Sequence, residues 1–239
     1  MSAPAPENDT RSVAELVLVA LGDADENTAW DAVSALHWRG TKEVLEAAQE
    51  LCRSACQRER KLGCDILGQI GIPDRTFPED CVGTLLDMLA CEANSAVLRS
   101  IFIAFSHLAD ERGAAAATAY AKYDDPAVRR AVVLALGSSD SEATIASLLS
   151  LSTDADSNVR DWATFPLAQQ TEADSSAIRD ALAARLADVD ADTRGEALVG
   201  LANRGDSRAI AAIFNYPAAF ENTSHIGLAK SVLEEKGLL

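Results

Sequence analysis

The sequence predicts an all-α fold: a right-handed α-solenoid of about six helix pairs with terminal helical caps. Three observations carry this. A unit of turn, helix start, apolar helix and glycine stop is clearest from Asp124 to Gly137, and weaker copies recur on both sides of it. The copies are spaced in the thirties, the period of two-helix repeats. Finally, 48% of residues are hydrophobic but only 5% aromatic, so the core is built mainly from Ala, Leu, Val and Ile, which suits closely packed helices.

In chain order, Ser12 to Leu21 forms a first apolar helix that stops at Gly22. A second runs from about Asn27 to Trp38 and stops at Arg39-Gly40. Its partner runs from Thr41 to Leu51 with Val44, Leu45, Ala48 and Leu51 inward. The pair then repeats. Anchors at Thr28, Val128, Val159 and Thr193 each have a small residue or valine four positions on (Ala32, Val132, Ala163, Ala197) and leucine eight on (Leu36, Leu136, Leu167, Leu201). Spacings of four and eight place these side chains on one helical face. Glu59 joins the set with Gly63 and Leu67, and Leu98 joins it with Phe102, although Ser106 stands where leucine is expected.

The six anchors are separated by 31, 39, 30, 31 and 34 residues. The long interval contains Ile72-Pro73-Asp74-Arg75-Thr76-Phe77-Pro78, an insertion expected to protrude as a loop. Second helices are expected at about Glu79 to Cys91, Gly113 to Tyr123, Glu142 to Leu151, Ser175 to Ala187 and Ser207 to Tyr216, the last with Ile210, Ile213 and Phe214 inward. A final helix, about Ile226 to Glu235 with Leu228 and Val232, reads as a cap. Residues 1–11 read as a disordered lead-in, and residues 12–239 as a single repeat domain.

Asp125-Pro126-Ala127-Val128-Arg129-Arg130-Ala131 with Leu134-Ala135-Leu136-Gly137, and Asp156-Ser157-Asn158-Val159-Arg160-Asp161-Trp162-Ala163, resemble HEAT repeats of the short bacterial type also found in phycobilisome lyases. The resemblance implies the solenoid fold. It leaves function open, because such repeats serve adaptors, inhibitors, bilin lyases and DNA glycosylases alike.

The net charge of −16 opposes affinity for phosphate backbones and anionic membranes, and favours a basic partner. The N-terminus shows no basic region followed by an apolar one, and the five cysteines fit reduced thiols, so a cytoplasmic location is expected. Cys52 and Cys56, read as i, i+4 on a helix, lack the ligand spacing of a zinc site. His37, His107 and His225 are scattered, with no grammar of nucleophile and base. No catalytic residue, metal or cofactor is assigned.

Arg129, Arg160 and Arg194 each follow a repeat anchor, behind acidic residues such as Asp125, Asp156 and Asp190 or Asp192, and read as rungs of a stacking ladder in which each guanidinium bridges to acidic side chains or helix-end carbonyls of the adjacent repeat. The Asp and Ser residues ahead of each helix read as N-caps. The DNA glycosylase alternative would use Trp30, Trp38, Trp162 and Asp161, but the second helices carry Glu43, Glu46, Glu50, Asp80, Asp87 and Asp180 with few lysines. Protein binding is therefore the expected function. Second helices line the concave face of a solenoid of this kind. Glu43, Glu46 and Glu50 share one side of the first at i, i+3 and i+7, and Asp80 and Asp87 lie on the next. Tyr120, Tyr123, Trp38 and Trp162 supply aromatic contacts. The expected partner is another protein, a basic one, such as a nuclease toxin held by an immunity-type inhibitor. No nucleic acid or membrane is expected as a partner, and the unbound chain is expected to be a monomer.

Overall fold

The structure, a computed structural model, describes residues 8–22, 25–215 and 225–239. Among these residues it is all helical, with fourteen α-helices and no strand. The helices group into two compact units, the first ending at Ala116 and the second beginning at Ala117. Each is a solenoid of helix pairs.

The first unit comprises α1 (Val13–Leu21), α2 (Glu26–Arg39), α3 (Lys42–Cys52), α4 (Gln57–Gln69), α5 (Pro78–Leu89), α6 (Ser95–Leu108) and α7 (Glu111–Ala117). The first helices of its pairs, α2, α4 and α6, pack in series, and α1, α3 and α5 pack in series beside them. Helix α3 lies against α4 so closely that a Cβ on Gly63 would meet Cys52 Sγ at 2.6 Å and the Ala48 carbonyl oxygen at 2.9 Å. Only glycine permits that approach.

The second unit holds a 3-10 turn (Thr118–Tyr120), α8 (Pro126–Leu136), α9 (Glu142–Leu151), α10 (Ser157–Phe165), a π-helical turn (Pro166–Gln170), α11 (Ser176–Arg185), α12 (Ala191–Asn203), α13 (Ser207–Asn215) and α14 (His225–Glu235). Helices α8, α10, α12 and α14 pack in series, so α14 occupies the place of a first helix in a half-repeat.

Every residue four after an anchor is buried, and the leucines eight after are buried wherever the sequence has one. The anchors themselves divide. Leu98, Val128, Val159 and Thr193 are buried, Glu59 is half-buried and Thr28 is exposed. Asp125, Asp156 and Asp190 act as N-caps, each accepting a backbone N–H of the first turn. Such caps contribute about 1 kcal/mol each.

The arginine ladder is present, and its carboxylates come from the adjacent repeat. Arg129 donates through Nε and Nη2 to Asp154, both at 2.7 Å, and Arg160 likewise to Asp188 at 3.0 Å. Arg60 makes the same fork to Glu92. In each case Nη1 also donates to two carbonyls of the turn preceding its own helix. Arg194 makes the two carbonyl bonds, to Asp188 and Val189. Asp125, Asp156 and Asp190 cap their own helices, as the sequence predicts, so the rung acid comes from the turn ahead of the next first helix. Arg99 makes no ion pair among the described residues, and Tyr123 stands five before Val128, where Asp154 and Asp188 stand five before their anchors.

Several expectations are corrected. The insertion after α4 does not protrude: Gly71 N–H donates to His37 O at 2.7 Å and Thr76 Oγ1 to Gly40 O at 3.0 Å, tying the loop to the α2–α3 turn. Gly71 has φ +76°, and a Cβ there would meet Thr76 at 2.4 Å. Cys52 ends α3 while Cys56 caps α4, so the two are not on one helix. Phe214 is 67% exposed, because α13 buries Ala209, Ala212 and Ile213 instead. Leu228 is exposed and Ala229 and Leu233 carry the α14 contact. Tyr216 and residues 1–7 lie outside the described residues. Asp9 and Arg11 are placed, with the Asp9 carbonyl accepting from Arg39 Nη2 at 3.0 Å.

Candidate partner-binding site

The second helices of the first unit build one surface. Val44, Leu45, Ala48 and Leu51 point into the core and fix the rotation of α3, which leaves Glu43, Glu46 and Glu50 on its exposed side. Cys81, Val82, Leu85 and Leu89 do the same for α5, leaving Asp80 and Asp87 outward. The two helices are tied by Gln49 Nε2, which donates to Thr84 Oγ1 at 3.0 Å. Lys42 is the only basic residue on α3, and it is spent on Glu46 at 3.5 Å within the same helix. Glu79 at the start of α5 receives Arg112 Nη1 at 2.9 Å. The remaining carboxylates outweigh Arg53, which borders the same face, and give it a net negative field.

Two hollows open on it. One, of about 450 Å³, is bordered by Cys52, Arg53, Thr84, Asp87, Met88 and Cys91. The other, of about 310 Å³, lies between α1 and α3, with Glu43 and Glu50 among its lining residues. Beneath the surface Cys52, Cys64, Cys81 and Met88 form a buried sulfur-rich patch, with Cys64 Sγ 3.6 Å from Met88 Sδ. Burial pushes the Cys81 thiol up to about 12, which makes it an inert core residue.

The aromatic residues named from the sequence are distributed. Trp38 lies at the end of α2, a first helix, and is 42% exposed, so it stands outside the second-helix face of its unit. Its neighbour Trp30 meets His37 edge-on at 6.3 Å between ring centroids. His37 is buried, which lowers its pKa to about 4, and its Nε2 lies 2.9 Å from the Asp65 carbonyl oxygen. Tyr120 and Tyr123 belong to the second unit. They sit on and just after the 3-10 turn rather than on a helix, half-buried and stacked at 6.1 Å. Trp162, also in the second unit, is 42% exposed on α10, with the Arg130 guanidinium 6.0 Å over its ring. The adjacent Asp161 is pushed up to about 6 by partial burial and by Asp190, Glu196 and Asp192.

Three features escaped sequence reasoning. One is the apolar hollow beside α1, signalled by a helix whose residues from Val13 to Leu21 are apolar except Glu15. Another is a recurrent Asp-x-Arg opening of second helices. In Asp110-x-Arg112 and Asp206-x-Arg208 the carboxylate accepts both the arginine's backbone N–H and its side chain. Asp9-x-Arg11 makes the same closure ahead of α1. The third is Arg204, which donates to the carbonyls of Leu167, Ala168 and Ala173 and so satisfies the backbone that the π-helical turn leaves open. Among the described residues no group of three or more His, Cys, Asp or Glu is arranged to hold a metal ion, and no helix is long and apolar enough to cross a membrane.

Helix pairs of this spacing, rung arginines and second-helix faces define a repeat protein, and a model of HEAT repeats matches residues 82–168. The chain is a HEAT-like repeat protein. It is 30% identical over 187 residues to protein YibA of Escherichia coli strain K12 and, equally, to that of strain O157:H7, over 74% of this chain. The match spans 65% of the length of those curated relatives, somewhat under two thirds. An X-ray structure of E. coli YibA superposes with a TM-score of 0.77 at 24% identity, covering 96% of this chain and 84% of that one. The complex of CpcE and CpcF of phycocyanin lyase from Nostoc sp. PCC7120 gives 0.51 at 19% identity, covering 100% and 99%. These two likenesses establish the fold alone.

Proposed function

We propose that the chain is a non-catalytic protein-binding module that holds a basic protein partner against the acidic second-helix face of its first unit. The observation that carries this reading is the set Glu43, Glu46, Glu50, Asp80 and Asp87, aligned on two adjacent helices where the one lysine is already paired within α3. Such a field accelerates encounter with a basic surface and rejects acidic ones. Trp38, on α2, and Tyr120, Tyr123 and Trp162, in the second unit, lie off this face and are left out of the proposed contact. Within this class the reading is an immunity-type inhibitor in the cytoplasm, monomeric until it covers the basic active-site surface of a nuclease toxin.

The competing reading is an enzyme, either a bilin lyase or a DNA glycosylase. Its foothold is Asp161, raised to about 6 beside exposed Trp162. A net charge of −16 opposes duplex binding. The test is calorimetry against the co-purified partner at low and moderate salt. Reversing Glu46, Glu50, Asp80 and Asp87 to lysine is expected to weaken binding at least tenfold and flatten its salt dependence. Unchanged affinity sinks the proposal, and a co-purified bilin or duplex binding at physiological salt favours the enzyme.

A further inference from the structure

Helix α1 is apolar on nearly every side, yet it buries only Val13 and Leu16, leaving Ala14 exposed and Val17 half-buried. A helix that is apolar all round belongs inside a protein, so this one has an unfilled flank. The flank faces α3 across the hollow of about 310 Å³, whose floor is Val13, Val17, Ala47 and Leu51 and whose rim carries Glu43 and Glu50. Those carboxylates are seven residues apart on α3, hence two turns, about 10.5 Å along the axis.

We infer that this groove receives an amphipathic helix of the partner, laying its apolar stripe on the floor and aligning two Lys or Arg residues, seven positions apart on one edge, with Glu43 and Glu50. This rests on the partner-binding reading above and specifies the segment that is gripped. Charge decides among occupants. A second copy would bring a net charge of −16 and the same glutamate row. The chain's own first seven residues contain Pro4 and Pro6, carry Glu7 and have no Lys or Arg. A basic amphipathic helix alone satisfies both the apolar floor and the acidic rim, in the helix-in-groove mode.

The experiment uses the full chain and two fluorescent synthetic helices of equal length. They share a leucine stripe at i, i+3, i+4 and i+7, and one carries Lys and the other Glu at two edge positions seven apart. By anisotropy the Lys peptide is expected to bind at least tenfold more tightly than the Glu peptide. Ala47→Trp, which fills the groove without changing charge, is expected to weaken it at least tenfold. Ala14→Trp, at an exposed lining position, gives the same readout without touching the core, and thermal melts confirm that both variants fold. Equal binding of the two peptides, undiminished binding by both tryptophan variants, or self-association that these variants abolish would overturn the inference. If the fourfold lysine variant loses the natural partner while Ala47→Trp keeps it, the groove is wrong and the acidic-face reading stands. If both keep it, both are wrong.

Discussion

The Arg129 rung gives the sharpest test of how the repeats are held. Arg129 and Asp154 side chains are 14% and 10% exposed, and the fork between them has two bonds of 2.7 Å. Burial alone would raise the Asp154 pKa, but the Arg129 hydrogen bonds and the Asp156 N–H outweigh it and hold the carboxyl below its ordinary value. Arg129→Met keeps the aliphatic stem while removing the fork and the two carbonyl bonds to Tyr123 and Asp124. Asp154 is then left, largely buried, with the Asp156 N–H. Loss of charge-assisted bonds at a partly shielded site costs about 2–3 kcal/mol. For a chain of this size that is roughly 4–12 °C in Tm. The assay is urea unfolding of Arg129→Met, Asp154→Asn and the double variant. A coupling of about 1–2 kcal/mol is expected for a direct pair. Single losses below about 0.5 kcal/mol with no coupling would refute the ladder as a stabilising element.

Two other perturbations probe the first unit. His37, 3% exposed with its pKa lowered to about 4 by burial, releases its proton on folding. The unfolded chain binds that proton below its ordinary value of about 6.5, so the stability His37 contributes is full above about 6.5 and falls as pH drops toward 4, by about 3 kcal/mol at 1.36 per unit. Urea midpoints from pH 7 to 4 should show this slope in the wild type and lose it in His37→Gln. Gly63→Ala would place a Cβ 2.9 Å from the Cys52 backbone nitrogen and the Ala48 carbonyl oxygen, contacts that only a shift of α3 relieves. A loss of about 1–3 kcal/mol is expected by thermal melt, and a neutral result would mean that the two helices separate without penalty.

The first helices were legible because their burial depends on local periodicity. A side chain four or eight after the anchor lies on one stripe whatever the neighbour is, and Ala32, Leu36, Val132 and Leu136 are all buried. The outward rotation of α3 and α5 was legible for the same reason. What escaped depended on groups far apart in the chain. The rung acids Asp154 and Asp188 lie 25 and 28 residues beyond their arginines, in turns where nearer aspartates compete for the same inference. The tucked insertion depends on His37 and Gly40 offering acceptors 36 or fewer residues earlier. Phe214 was misplaced because Ile210, Ile213 and Phe214 offer a plausible stripe one position away from the one that packs. The π-helical turn follows from Pro166, whose missing N–H breaks the α ladder, but its stabilisation needs Arg204, which is far along the sequence.

The proposed function places the partner on the second helices of the first unit. Hydrogen–deuterium exchange on the isolated chain and on the chain bound to its co-purified partner tests it most directly. Added protection is expected along α1, α3 and α5, centred on residues 43–51. Protection confined to α2, α4 and α6, or to the second unit, would contradict it.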